Sequence, residues 1–346
     1  LAGFLRSKDV KRLLQNRRNV FILINLQNVQ SRLLEPSIAI IKMKTSAHIF
    51  GWHRVRHMLA LLILCVPNAG QIAHANEDEK WDVIANWKQF LTSNASNYSI
   101  VLDDKKEPLT FRDTPSMVWV NPVRDSQYGV IHVWTHKGRP SVFGSIFVTK
   151  DDRTKSRRVT HEMHSLATTG LTASLPSKGA VWRPKVAGIT FKQLDFAKPP
   201  AQSRTARMTQ MKQISREFSG SSVDLQGARI ELRMLTEPIY RYETEDDIHD
   251  GAIFSMASTS GTDPEILVIL EVRDTPKGPR WHFAAARFSD LNQSLYLKGD
   301  LVWELKFPPG VQQWSWKSSE SDYFRVFVDL DIPEAEVESV IKAAVK

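Results

Sequence analysis

The sequence predicts an α+β protein: a mainly antiparallel sheet, bent or barrel-like, with about three flanking helices. Two observations carry this. Strand-like runs are many and stretches with helical apolar spacing are few. Most links between the strand-like runs are short enough for hairpins, which only antiparallel neighbours permit. The stretch Ala228 to Arg273 anchors the expectation. It reads as strands joined by turn chemistry and ends in Ile266 to Val272, the most apolar run outside the N-terminal segment.

The chain has 346 residues and a formal net charge of +8. Such a balance would suggest nucleic acid or a membrane as partner, but the charge is local. Residues 1–75 hold 11 Lys and Arg against Asp9 and Glu35, and the remainder holds 35 basic and 36 acidic side chains. Residues 1–75 read as a non-mature segment. Arg54 and Arg56 precede the apolar run Met58 to Val66, Pro67 and Gly70 break it, and Ala73-His74-Ala75 has the small-x-small pattern of an export signal. The run is shorter than the roughly 20 residues of a membrane span; the alternative is a buried core helix. Leu64 before Cys65 speaks against a lipoprotein signal. Residues 1–42 read as an over-extended start, with a long n-region as the rival. The expected mature chain is residues 76–346, periplasmic or extracellular: one large domain, or two halves meeting near 197–201, where Lys198-Pro199-Pro200 breaks the pattern. Cys65 is the only cysteine. The mature chain therefore has no disulfide, thiol nucleophile, iron–sulfur cluster or cysteine zinc site.

Taken in order, Trp81, Ile84, Trp87 and Leu91 give a helix over about Glu79 to Thr92. Ile100–Leu102, Leu109–Arg112 and Met117–Asn121 are short strands. Tyr128–Thr135 and Ser141–Thr149 form a hairpin about His136-Lys137-Gly138-Arg139-Pro140. Arg157–Thr168 is a further strand, continued by Leu171–Leu175. Met208, Met211, Ile214 and Phe218 line one face of a helix over about Ala201 to Phe218. Strands recur at Ile230–Leu235, Ala252–Ser258, Ile266–Arg273, Trp281–Phe288, Ser294–Leu305 and Phe324–Val328. Asp331 and Pro333 open a last helix, with Glu334 and Glu336 in its first turn. No fixed-period repeat is evident. Lys150 to Arg216 is basic and Glu217 to Lys346 acidic, which reads as two parts that attract each other, or as a basic face for an anionic ligand.

Several segments together resemble a family of exported, uncharacterised proteins from planctomycete bacteria: Asn86–Phe90 (NWKQF), Tyr128–Pro140 (YGVIHVWTHKGRP), His161–Leu166 (HEMHSL), Glu231–Tyr242, Asp250–Ser258 (DGAIFSMAS) and Gly261–Glu265 (GTDPE). The resemblance implies export and a single architecture. It carries over no catalytic role.

His161-Glu162-Met163-His164 is the most suggestive cluster. On a strand, Glu162 and His164 share a face. They would supply two zinc ligands, with His132 or His136 from a neighbouring strand as the third; otherwise no cofactor is called for. The bland alternative is a cross-strand pairing of Glu162 and His164. Tyr128, His132, Trp134 and His136 share one face of their strand. If exposed, Trp134, Trp314 and Trp316 would stack on sugars or a peptide, whereas buried aromatics are core. Gly261-Thr262-Asp263-Pro264-Glu265 reads as a turn. Glu243 to Asp250 lacks EF-hand spacing, and no phosphate-cradling loop or G-x-S-x-G motif occurs. The expected role is a non-catalytic envelope or periplasmic protein that binds a protein or glycan partner. A metal-dependent hydrolase and a carbohydrate-binding module are the alternatives. Nucleic acid is disfavoured, and no stable membrane span is expected in the mature chain.

Overall fold

The structure, a computed structural model, describes residues 86–124, 127–176, 178–224, 226–244, 248–307 and 319–344. These lie in one compact unit, Gly70–Lys346. The expected export signal, Trp81 and Ile84 fall outside the described residues. Every strand pairing among the described residues is antiparallel, as the short links predict, and no described helix is long and apolar enough to cross a membrane.

A helix over residues 86–96 (α1) leads into β1 (Ser99–Leu102), β2 (Thr110–Phe111), β3 (Met117–Asn121), β4 (Gln127–His136), β5 (Arg139–Asp151), β6 (Ser156–Ser165), β7 (Leu171–Leu175) and β8 (Gly179–Trp182). After β9 (Lys192–Gln193) in the connection, the same order returns. Helix α2 (Arg204–Ser215) leads into β10 (Phe218–Val223), β11 (Arg229–Met234), β12 (Tyr240–Tyr242), β13 (Ile248–Ala257), β14 (Pro264–Arg273), β15 (Arg280–Arg287), β16 (Asn292–Leu297) and β17 (Asp300–Leu305). The chain closes with β18 (Tyr323–Pro333), a 3-10 turn (Glu334–Glu336) and α3 (Val337–Ala344).

The pairing repeats with the order. β4 takes β2, β3 and β5, as β13 takes β11, β12 and β14; β6 and β15 then extend the two sheets. The ribbon β1–β7–β8 has its counterpart in β10–β16–β17. β10 also pairs with β11, whereas β1 reaches its neighbour only through a bridge from Val101 to Pro108. The sequence shows no fixed-period repeat, yet the element order is duplicated. A fixed period hides it because equivalent strands begin at 127 and 248, 139 and 264, and 156 and 280, which are unequal offsets. One faint sequence trace is Lys178-Gly179 before Trp182, matched by Lys298-Gly299 before Trp303.

The tails of the two halves cross. β9 follows the first half and pairs with β15 of the second; β18 follows the second and pairs with β6 of the first. The edges of β6 and β15 are thus each covered by the other half's tail, which blunts strand-to-strand association there.

The two large sheets pack face to face. Ile131, Val133, Phe143 and Phe147 of the first meet Ile253, Leu267, Ile269, Ala284 and Phe288 of the second. Alternation sends the remaining apolar residues outward. Val130, Trp134, Ile146 and Met163 pack under α1, the β1–β7–β8 ribbon and α3. Phe254, Met256, Val268, Leu270 and Trp281 pack under α2 and β10–β16. Strands β4 and β14 are buried on both faces, which explains their long apolar runs.

Helix α2 and the segment Ser294–Leu305 differ from expectation for clear physical reasons. Helix α2 starts at Arg204 because the Ser203 side chain caps it, accepting from the Ala206 amide at 3.2 Å. It stops at Ser215 because Phe218 is drawn into the ladder opposite Leu297. Ser294–Leu305, expected as one strand, is the hairpin β16–β17: Lys298 and Gly299 take φ of 54° and 92°, the left-handed pair that a two-residue turn needs.

Candidate ligand-binding site

On β6, Thr160, Glu162 and His164 point towards the second sheet, while Val159, His161 and Met163 point towards the α1 side. β18 lies alongside, with Arg325 opposite Glu162 and Tyr323 opposite His164. The Tyr323 hydroxyl donates to Glu162 Oε1. Arg325 Nη1 lies 2.9 Å from Asp290 Oδ2. From β15, the Arg287 guanidinium carbon sits 3.8 Å from the Tyr323 ring centroid.

The opposite wall is built where the β13–β14 turn meets the loop after β3. Thr262 N donates to Val120 O at 3.0 Å. A Cβ on Gly261 would come within 2.7 Å of that same carbonyl, so only glycine fits. This seats Asp263 and Glu265 against Arg124: Nη1 is 3.1 Å from Asp263 Oδ2 and Nη2 is 2.8 Å from Glu265 Oε1. Asn121 Nδ2 donates to Asp263 Oδ1 at 2.9 Å. Gly261 to Asp263 form the turn, as expected, whereas Pro264 and Glu265, expected within it, open β14 with Pro264 opposite Ala257; Asp263 lines the cavity.

Between these walls lies a cavity of about 550 Å³ with Trp119, Phe147 and Phe288 among its apolar lining. Trp119 is held across Gly129, where a Cβ would approach its ring to 2.4 Å, and its Nε1 donates to Ser145 Oγ at 2.9 Å. Glu162 lines the cavity and is 6 % exposed. Burial pushes its carboxyl up to about 7; Arg325 and the Tyr323 hydrogen bond oppose this, and Asp290 and Glu265 add to it. Its second oxygen, Oε2, has no hydrogen-bond partner among the described residues. Burial also raises Glu265 and Asp263. Glu162, Asp224, Asp263, Glu265 and Asp290 gather around Arg124, Arg287 and Arg325, so acidic groups outnumber cations.

The sequence-selected residues divide between different places. Glu162 and His164 share a face of β6. The His164 Nδ1–H donates to Ser165 O at 2.7 Å, and Nε2 lies 3.7 Å from Asp322. His132 is on the other face of its sheet, stacked 5.0 Å from Phe111, accepting from Thr92 at Nε2 and donating to Arg112 O from Nδ1. His136 ends β4 and pairs with Glu107. The sheet itself stands between His132 and Glu162. Among the described residues no group of three or more His, Cys, Asp or Glu is placed to hold a metal ion. The bland alternative fits better: Glu162 pairs across to Tyr323 of β18, and His164 faces Asp322 just before that strand.

Trp134 corrects the stacking expectation. It is fully buried beneath α1, in edge contact with Tyr98 and tilted against Phe111. The face it shares with Tyr128 and His132 is covered by α1. Trp314 and Trp316 lie outside the described residues.

Sequence reasoning missed Arg124, Tyr323, Arg325 and Asp290. One signal was available: Glu265 and Glu271 bracket the apolar run Ile266 to Leu270 with the same parity as Leu267 and Ile269, so both carboxylates point into the space between the sheets. Comparisons with protein-family models, with curated proteins and with solved structures found no match.

Proposed function

We propose that the chain is an exported, non-catalytic binding protein whose inter-sheet cavity holds a small cationic ligand. The observation that carries this is Glu162: a carboxyl almost wholly removed from water, facing a cavity, with one oxygen unpartnered. Such a group costs several kcal/mol to ionise unless a counter-charge arrives. An ammonium ligand would supply it, and the aromatic walls favour a cation further. Of the hydroxyls that line the cavity among the described residues, Ser145 accepts from Trp119 Nε1 and Ser289 bonds the Glu265 carboxyl. Export rests on the signal pattern of residues 54–75 and on the planctomycete resemblance. The carbohydrate reading now rests on Trp314 and Trp316, and a glycan-array signal lost on Trp314→Ala would revive it.

The test is thermal shift and calorimetry with putrescine, glucosamine and choline, beside N-acetylglucosamine and acetate, at pH 8.0 and 5.5. One or more of the amines should bind at pH 8.0 and at least tenfold more weakly at pH 5.5 or in Glu162→Gln. Equal binding of neutral N-acetylglucosamine or anionic acetate, or binding indifferent to Glu162→Gln, would sink the proposal.

A further inference from the structure

The duplicated architecture has a second cavity at the other end of the sheet pair, and its chemistry is reversed. The first cavity sits where the β13–β14 turn meets the loop after β3. The equivalent junction is the β4–β5 turn against the segment after β12. There Gly138, with φ of 83°, lies where a Cβ would come 2.7 Å from Glu243 O, as Gly261 does against Val120 O. Tyr242 lies across Gly251 as Trp119 lies across Gly129. The resulting cavity is about 220 Å³, and Asp104, Lys105, His136, Arg139, Thr168 and Arg273 are among the residues that line it.

Glu271, fully buried, organises this end. It accepts from Tyr242 at 2.6 Å and Arg139 Nε at 3.0 Å, and Arg273 Nη1 reaches it at 3.3 Å. Both guanidinium groups lie over Phe191, with carbons 5.5 and 4.4 Å from the ring centroid. Arg139 Nη1 also donates to Leu166 O at 3.0 Å. One carboxylate therefore orients two arginines and neutralises only one of them. Asp104 accepts from Thr169 and from the Lys105 amide, and Glu107 is taken by His136. Among the described residues, Arg139 Nη2, Arg273 Nε and Nη2, Lys105 Nζ and the Thr168 hydroxyl have no partner. Glu271 and Phe191 pre-orient the two arginines, and the exposed Lys105 and Thr168 add further donors, around a space large enough for a tetrahedral ion, with net positive charge.

We infer that this second cavity is a binding site for a tetrahedral oxyanion, either free phosphate or sulfate or the phosphoryl or sulfo group of a larger compound. It stands independently of the cation site.

The experiment is calorimetry on the purified protein in acetate-free, low-chloride buffer at fixed ionic strength, with sodium phosphate, sodium sulfate and glucose 6-phosphate as probes. Arg273→Gln and Lys105→Gln are run in parallel; Arg273 is one-third exposed and Lys105 exposed, so neither threatens the fold. Saturable binding of any of the three, weakened at least tenfold by Arg273→Gln, reduced by Lys105→Gln and retained in Glu162→Gln, is expected. Tighter binding of the inorganic ions assigns the site to a free anion; tighter binding of the ester assigns it to the group of a larger compound. No saturable binding, or binding that both variants leave unchanged, overturns the inference.

Discussion

Replacing Glu162 by Gln should stabilise the protein above neutral pH. The glutamine is nearly isosteric, and its carbonyl can still accept the Tyr323 hydroxyl. In the folded chain the Glu162 carboxyl is raised from 4.5 to about 7. An acid so raised binds its proton more tightly folded than unfolded. Its contribution is intact below pH 4.5 and is lost as pH rises through 7. At about 1.4 kcal/mol per pKa unit, the loss is about 3 kcal/mol. Wild type and Glu162→Gln should therefore differ little in pH trend below pH 4.5, and the variant should gain on wild type by about 3 kcal/mol between pH 4.5 and 8.5. Urea unfolding followed by tryptophan fluorescence gives both curves, and taking their difference cancels the other titrating groups. A difference flat across this range, or one that moves the other way, would refute the burial of an ionisable carboxyl at this point. The same substitution should abolish amine binding, so stability and binding should move in opposite directions, as they do at functional sites.

Three further outcomes follow from the packing. His161 is lowered to about 4 by burial, with Lys178 adding to the effect. A base depressed in the fold destabilises it as pH falls, here by about 3 kcal/mol between pH 6.5 and 4, and His161→Phe should flatten the acid limb of the urea midpoint. Gly129→Ala and Gly251→Ala should each cost about 1–3 kcal/mol, because a Cβ at either site would drive into Trp119 or Tyr242 at 2.4 Å; chemical denaturation measures both, and a cost from only one would break the equivalence of the two halves. Plasma emission analysis of protein purified without chelator should find zinc content unchanged by His164→Ala, since His132 faces away from that side of the sheet; one zinc per chain lost in the variant would contradict this.

Much of the strand order was legible because it depends on parity and turn chemistry, which are local. Alternation on β6 placed Glu162 and His164 on one face, and Gly261 marked a real turn that ends where Pro264 opens β14. What failed depended on distant partners. Trp134 reads the same whether solvent or a helix lies over its face, and only α1 decides between them. His132 on β4 and Glu162 on β6 were expected on neighbouring strands, but β5 lies between them and they take opposite faces of the sheet, because alternation was not carried from one strand to the next. Tyr323 and Arg325 join the site through strand exchange between the halves, some 160 positions from Glu162, and no local signal predicts that. The duplication escaped because it is preserved in topology, in Gly138 with Gly261 and Gly129 with Gly251, and scarcely in residue identity.

The cation site stands or falls on the state of one carboxyl. Carbon-13 NMR of protein labelled at glutamate carboxyls, with the Glu162 resonance assigned by its loss in Glu162→Gln, measures it directly. The expected titration midpoint lies near 7 in free protein and falls by one unit or more with saturating glucosamine or putrescine, whichever binds, as the ammonium holds the carboxylate ionised. A midpoint near 4.5 with and without the amines, or one that rises when an amine binds, would contradict a buried counter-ion for a cationic ligand.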